Sequence, residues 1–177
     1  MHSRELTLRE VLAAEMGAIR ESHEDVVAAA IEGVPLRAGF VEFVEAVQGR
    51  GDRLILLSAG FRQLIEPLLE SIGVTGLELI SNSITFNSVD GAHITWRPLP
   101  VCDLCDQECK RGDVAAFRDQ YDDVTYIGDG FSDRCAAETA DRIFARAGLA
   151  TYLDGLHHPY ESFETFHTIT DALATSP

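Results

Sequence analysis

Two carboxylates four residues apart, Asp129 and Asp133, stand in the run Gly128-Asp129-Gly130-Phe131-Ser132-Asp133, directly after the apolar stretch Val124 to Ile127. A carboxylate held between glycines at the end of a buried strand, with another one helical turn on, can direct both groups toward one cation. The plain alternative is a turn aspartate followed by a capping one. Ser58-Ala59-Gly60 closes a second apolar run, Leu54 to Leu57, and can offer a hydroxyl and backbone N–H groups to an anion. Without an anion, such a serine is an ordinary helix N-cap. Between these places lies Lys110, followed by Arg111, at the start of a helical stretch. A cation there opposes the helix dipole, which suits a bound anion, although the plain reading is a solvated lysine.

Cys102, Cys105 and Cys109 fall in C-x2-C-x3-C spacing just before Lys110, and Cys135 follows Asp133. Three or four thiolates can bind zinc, with His93 as a further donor. The spacing is half of a usual structural zinc site, so the expected state is a reduced thiol cluster or a labile disulfide, with zinc as the alternative. His157-His158 before Pro159 reads as a surface turn. Trp96, Phe163 and Phe166 read as core or partner surface.

The elements that must position these groups alternate in type. Thr7 and Glu10 form a capping-box pattern ahead of an amphipathic helix to Arg20, and Ser22 caps a second that stops at Gly33 before Pro35. A third helical face, Phe40 to Val47, ends at Gly49 and Gly51. The consecutive apolar residues Leu54 to Leu57 suit a strand buried on both faces of a parallel sheet. A helix from Phe61 to Ile72 carries Pro67, which should kink or restart it. Leu79 to Phe86 and Ala92 to Trp96 read as strands joined by a hairpin turn at Val89-Asp90-Gly91, and Arg97 to Glu108 as a loop. Then come a helix through Val114 to Phe117, the strand Val124 to Ile127, a helix from Ser132 to Ala140, and a strand Ile143 to Ala145. This alternation predicts an α/β, Rossmann-like, mostly parallel sheet, in which ligands bind at the carboxyl ends of strands.

Composition narrows the partners. Fourteen basic against 29 acidic residues leave a net charge of -15, a field that repels nucleic acid and anionic membranes. No apolar run approaches the about 20 residues that span a bilayer, and the first residues lack the order of a signal peptide. The default compartment is therefore the cytoplasm, with no membrane and no nucleic acid among the expected partners. With 46% hydrophobic and 24% charged residues the 177-residue chain can bury one modest core.

Taken in order, these motifs resemble the haloacid dehalogenase phosphatase superfamily. Leu54 to Gly60 matches its second motif, Lys110 its third, and Gly128 to Asp133 its fourth. Arg9-Glu10, Ser58-Ala59-Gly60-Phe61, Cys109-Lys110-Arg111, Gly128 to Ala137, Ala140-Asp141, Phe144-Ala145-Arg146, Pro159-Tyr160, Phe163 and Phe166 are similar to the subgroup holding phosphoserine phosphatase and the methionine-salvage diketo-methylthiopentane phosphatase. The resemblance implies a partial helical cap over residues 1–36 and a core over 37–177. It implies a magnesium-dependent phosphatase for a small phosphorylated metabolite. Ser58, Gly60 and Lys110 would bind the phosphate, Asp129 and Asp133 would serve the metal, and Ser58, Lys110 and Asp133 would be the catalytic set. Gly60 and Gly130 would allow close backbone approach.

One motif has no counterpart. No Asp-x-Asp pair closes an apolar run: Asp103 and Asp106 are spaced otherwise, and Asp122-Asp123 precedes a strand. In the family that pair supplies the nucleophile from the central strand, so the expectation is a truncated chain lacking this strand. The alternative is a phosphate-binding or regulatory module without turnover. Two unpaired strand edges would then favour association of copies, a homo-oligomer, or poor solubility.

Overall fold

The Glu10 N–H donates to the Thr7 hydroxyl oxygen at 3.2 Å while the Glu10 carboxylate accepts from the Thr7 N–H at 2.8 Å, and this reciprocal cap opens α1 (Leu8–Gly17). Ser22 opens α2 (His23–Gly33) by accepting from the Asp25 N–H. The computed structural model describes residues 7–175, so the first six residues of the expected cap and the last two of the expected core lie outside the described residues. The chain divides into two units, one taking residues up to Leu36 with Arg53–Arg97, the other Arg37–Asp52 with residues from Pro98 on.

In the first unit β1 (Ile55–Phe61) pairs in parallel with β2 (Glu78–Thr85), and β2 pairs antiparallel with β3 (His93–Thr95), giving the order β1-β2-β3. The apolar run at residues 54–57 makes this strand, and it continues three residues beyond Ser58 with a register shift between Leu57 and Phe61. Phe61, Ile84 and Ala92 form the buried core, against which Met16, Ile19, Leu64, Phe86 and Ile94 pack. At the hairpin, Gly91 has φ +92, and a Cβ there would lie 2.2 Å from the Gly17 carbonyl oxygen, so α1 can close on the turn only over a glycine.

α4 (Arg62–Ser71) runs unbroken through Pro67. Proline removes the N–H that would bond the carbonyl four residues back, which is Gln63. The ring of His23 replaces that donor: its Nε2 lies 3.0 Å from the Gln63 oxygen, and the ring stacks on Phe86 at 5.5 Å between centroids. The expected break does not occur, and the carbonyl left without a helical donor is served by a side chain from α2.

In the second unit β4 (Thr125–Gly128), β5 (Arg142–Ala145) and β6 (Glu161–Ser162) are all parallel, in the order β4-β5-β6. α3 (Phe40–Arg50) buries Phe43, Val44 and Val47 and packs on α8 (Phe166–Ala174), with the Phe43 and Phe166 rings 5.0 Å apart. Phe163 is buried and belongs to the core, and the half-buried Phe166 packs against it at 5.9 Å between ring centroids. α5 (Arg111–Arg118) follows Lys110. A single-turn 3-10 segment, Phe131–Asp133, leads into the short α6 (Arg134–Ala137), shorter than the helix expected to Ala140. α7 (Ala147–Leu156) buries Leu149 and Leu153 completely.

The fold is therefore the α/β, mostly parallel arrangement expected. Among the described residues β1 has β2 as its one neighbour and β4 has β5, so each presents an edge without a strand partner. No described helix is long and apolar enough to cross a membrane.

Candidate active site

Asp133 is the centre of the second unit's cluster. Its Oδ1 accepts from Lys110 Nζ at 2.7 Å and from the Tyr126 hydroxyl at 2.9 Å, and its Oδ2 accepts from the N–H groups of Gly130 at 2.9 Å and Asp129 at 3.1 Å. Lys110 and Asp133 are both buried, 8% and 6% exposed, so this ion pair is shielded from water. Burial works against the charge of Asp133, but Lys110 and the N–H donors outweigh it and hold the carboxyl below its usual range. Burial, with the Asp133 charge beside it, pushes the Tyr126 phenol far up, so Tyr126 stays a donor.

The β4 strand supplies both the tyrosine and the turn. Tyr126 faces inward beneath the turn, and Gly128 ends the strand where Asp133 folds back over it. A Cβ on Gly128 would meet the Cβ and Cγ of Asp133 at 2.9 Å, whereas one on Gly130 would come no closer than 3.7 Å to any neighbour in the chain. The glycine on which the internal packing depends is thus Gly128. Gly128→Ala is expected to shift Asp133 off its donors and cost about 1–3 kcal/mol, read as a lower urea midpoint at unchanged slope.

Asp129 has the opposite environment. Its side chain is 60% exposed at the carboxyl end of β4, with Arg146 Nη1 3.3 Å from Oδ2. Arg146 closes β5 in the same way that Asp129 closes β4, and its N–H donates to the Gly128 carbonyl. The pair is long and the carboxylate is on its solvent side, Arg146 being largely buried, so the Asp129 carboxylate can turn to a cation.

In the first unit Ser58 lies within β1, and the helix that follows is capped at Phe61, so Ser58 is not its N-cap. Its Oγ accepts from the Gly60 N–H at 3.0 Å, which leaves the hydroxyl proton to point elsewhere. Asn82, buried on β2, fixes this irregular stretch of β1: its Nδ2 donates to the Ala59 carbonyl at 2.8 Å, and its Oδ1 accepts from the Arg97 N–H at 3.1 Å. Tyr126, Arg146 and Asn82 were not among the residues expected from the sequence. The signal for Arg146 was its place just after an apolar strand; Tyr126 and Asn82 carry none, since their roles come from neighbours distant in sequence.

The four cysteines converge. Their Sγ atoms all lie within 4.8 Å of one another, Cys102 buried and the other three partly so, and all four are free thiols. Burial, then the Cys102 thiol and the charges of its neighbours, pushes Cys109 up to about 12, and Cys135 is raised further. Cys102 is desolvated too, yet the N–H groups of Leu104 and Cys105 bring it below its ordinary value. His93, on exposed β3 in the first unit, is not among the clustered groups.

A family model of haloacid dehalogenase-like hydrolases matches residues 1–138. The chain is 30% identical over 154 residues to 2-hydroxy-3-keto-5-methylthiopentenyl-1-phosphate phosphatase of Bacillus cereus (strain AH187), covering 85% of this chain and 69% of that protein. It is similar in fold to phosphoserine phosphatase from T. onnurineus, with TM-score 0.66, 20% identity and coverage of 97% of this chain and 76% of that one. A probable phosphoserine phosphatase from Vibrio cholerae superposes with TM-score 0.68 at 16% identity, over 94% of this chain and 50% of that one.

Proposed function

We propose, from the premise that the chain belongs to the haloacid dehalogenase-like hydrolase family, that its site is built to hydrolyse a phosphomonoester of a small metabolite with magnesium. The observation that carries this is the pairing of opposites in one turn: a buried Lys110–Asp133 ion pair beside an exposed Asp129, all at the carboxyl end of β4. Asp133 positions Lys110, whose two remaining N–H groups are then directed to phosphate oxygens. In the first unit, the Ser58 hydroxyl, its oxygen engaged by the Gly60 N–H, has its proton to offer to an anion. The relative from Bacillus cereus is named for such a monoester, which supports the substrate class.

Asp129 fits magnesium, being a hard, exposed carboxylate oxygen of a kind that this ion takes singly, with water and substrate phosphate completing its shell. Both oxygens of Asp133 are already engaged by donors, so its role in this reading is to orient Lys110, and any service to the metal is indirect. Magnesium, when bound, supplies neutralisation of the charge that develops on the transferring phosphoryl group. The attacking carboxylate belongs, in this reading, to a further parallel strand lying on the open edge of β4 and ending in Asp-x-Asp.

A second reading, a phosphate-binding module without turnover, is favoured by the lack of such a pair in these 177 residues. Inorganic phosphate binding and para-nitrophenyl phosphate hydrolysis separate the two. The 177-residue chain is expected to bind phosphate with magnesium and to release negligible nitrophenol. Addition of a strand ending in Asp-x-Asp is expected to bring turnover. Robust turnover by the 177-residue chain alone would overturn the assignment of the nucleophile, and absence of phosphate binding would overturn both readings.

A further inference from the structure

We propose that Cys102, Cys105, Cys109 and Cys135 form a structural zinc site that ties the segment carrying Lys110 to the helix that follows Asp133. The sequence offers three of these four residues in one short stretch, and the fold brings Cys135, from the start of α6, to complete the set. A tetrahedron of sulfurs around zinc with Zn–S bonds of about 2.3 Å has edges of about 3.8 Å. The four Sγ atoms, all within 4.8 Å of one another, need to close by no more than about 1 Å to reach it. None of the four is bonded to another. A polynuclear iron–sulfur cluster would hold its sulfurs apart around several metal atoms, so a single ion suits the spacing better.

The backbone around the first two cysteines is shaped for the same purpose. Val101 and Glu108 close the loop by an antiparallel bridge, and within it the Cys102 N–H donates to the Gln107 carbonyl at 2.8 Å while the Asp106 N–H donates to the Cys102 carbonyl at 2.9 Å. Asp106 adopts φ +53, a left-handed conformation that turns the chain directly after Cys105. The Leu104 N–H points at Cys102 Sγ, 3.4 Å away, the kind of outer hydrogen bond that orients and stabilises a metal-bound sulfur. A tight loop with a strained residue, closed around two inward thiols and facing two more, is preorganised for a metal.

The placement has a consequence for the site described above. Cys109 immediately precedes Lys110, and Cys135 stands two residues after Asp133, so the ion would tether the chain beside each member of the Lys110–Asp133 pair. Its role is positioning, at a distance from the phosphate chemistry and independent of magnesium at Asp129.

The test uses the full 177-residue chain purified with reductant and without chelator. One equivalent of zinc by elemental analysis is expected, with the four thiols shielded from Ellman's reagent until a chelator strips the metal. Cobalt substitution should give intense sulfur-to-cobalt charge-transfer bands and the visible bands of a tetrahedral ion. Cys105→Ser and Cys135→Ser should each weaken zinc binding by at least about a hundredfold, while Asp129→Asn should keep the full zinc content. Reconstitution in excess zinc that yields no bound equivalent would overturn the proposal, as would a cobalt spectrum unchanged by Cys135→Ser. So would metal-free protein whose cysteines are found as disulfides that zinc does not displace under reductant. None of these readouts depends on phosphatase activity, so the zinc proposal and the proposed function can fail separately.

Discussion

Lys110→Ala is expected to lower the free energy of unfolding by about 3–5 kcal/mol, because it leaves Asp133 a buried carboxylate without its counter-ion. Against a total of about 5–15 kcal/mol for a domain, that loss leaves a marginal fold. The hydrogen bonds that Asp133 keeps from Tyr126, Asp129 and Gly130 argue for the lower end of the range. Adding Asp133→Asn to Lys110→Ala should recover part of the loss, since a neutral amide needs no counter-charge. The pH dependence separates charge from packing. With its carboxyl held below the usual range, Asp133 contributes stability that is fully present above the unfolded-state value of about 3.9 and is lost as pH falls through the lower folded value. The gap between wild type and Lys110→Ala should therefore narrow in acid. Urea melts across this range measure it, and an equal midpoint for the two proteins at neutral pH would show that the pair is not insulated from water.

Asp129→Asn should do the reverse, leaving the fold alone and removing the chemistry. The side chain is mostly exposed and its ion pair with Arg146 is of the surface kind, so the thermal midpoint should hardly move. Turnover by the form that carries the Asp-x-Asp strand should fall by about a hundred- to a thousandfold, the equivalent of about 3–4 kcal/mol of transition-state stabilisation. The magnesium dependence of phosphate binding should weaken with it. A variant with a near-normal rate would remove Asp129 from the metal. The two aspartates of one short motif thus differ in setting, Asp133 buried among its donors and Asp129 exposed, and the proposed roles follow that difference.

That division shows what a sequence can and cannot carry. Position after an apolar run drew notice to Ser58 and Asp129, with Asp133 one turn on and Lys110 at a helix start, and only the family resemblance joined the four into one expected site. Which aspartate is buried was not legible, since the answer lies in Gly128, whose missing Cβ lets Asp133 fold back onto the strand end. Asn82 and Tyr126 act across distances in sequence that no local pattern spans. The C-terminal elements α7, β6 and α8 were missed for a related reason. Gly148, Thr151 and Gly155 weaken the helical signal of α7, and β6 is two residues long, so packing of Leu149, Leu153 and Ile169 decides these elements more than propensity does. The cysteines show the same limit, as the spacing gave three and the fold supplied the fourth.

The hydrogen bond from His23 to the carbonyl that Pro67 leaves behind links two positions on separate helices. While Pro67 is present, loss of His23 strands an acceptor. Once position 67 regains an N–H, the helix serves its own carbonyl and position 23 is released from that duty. Exchange of the proline first and the histidine afterwards keeps that carbonyl bonded at each step, whereas the reverse order leaves it to water.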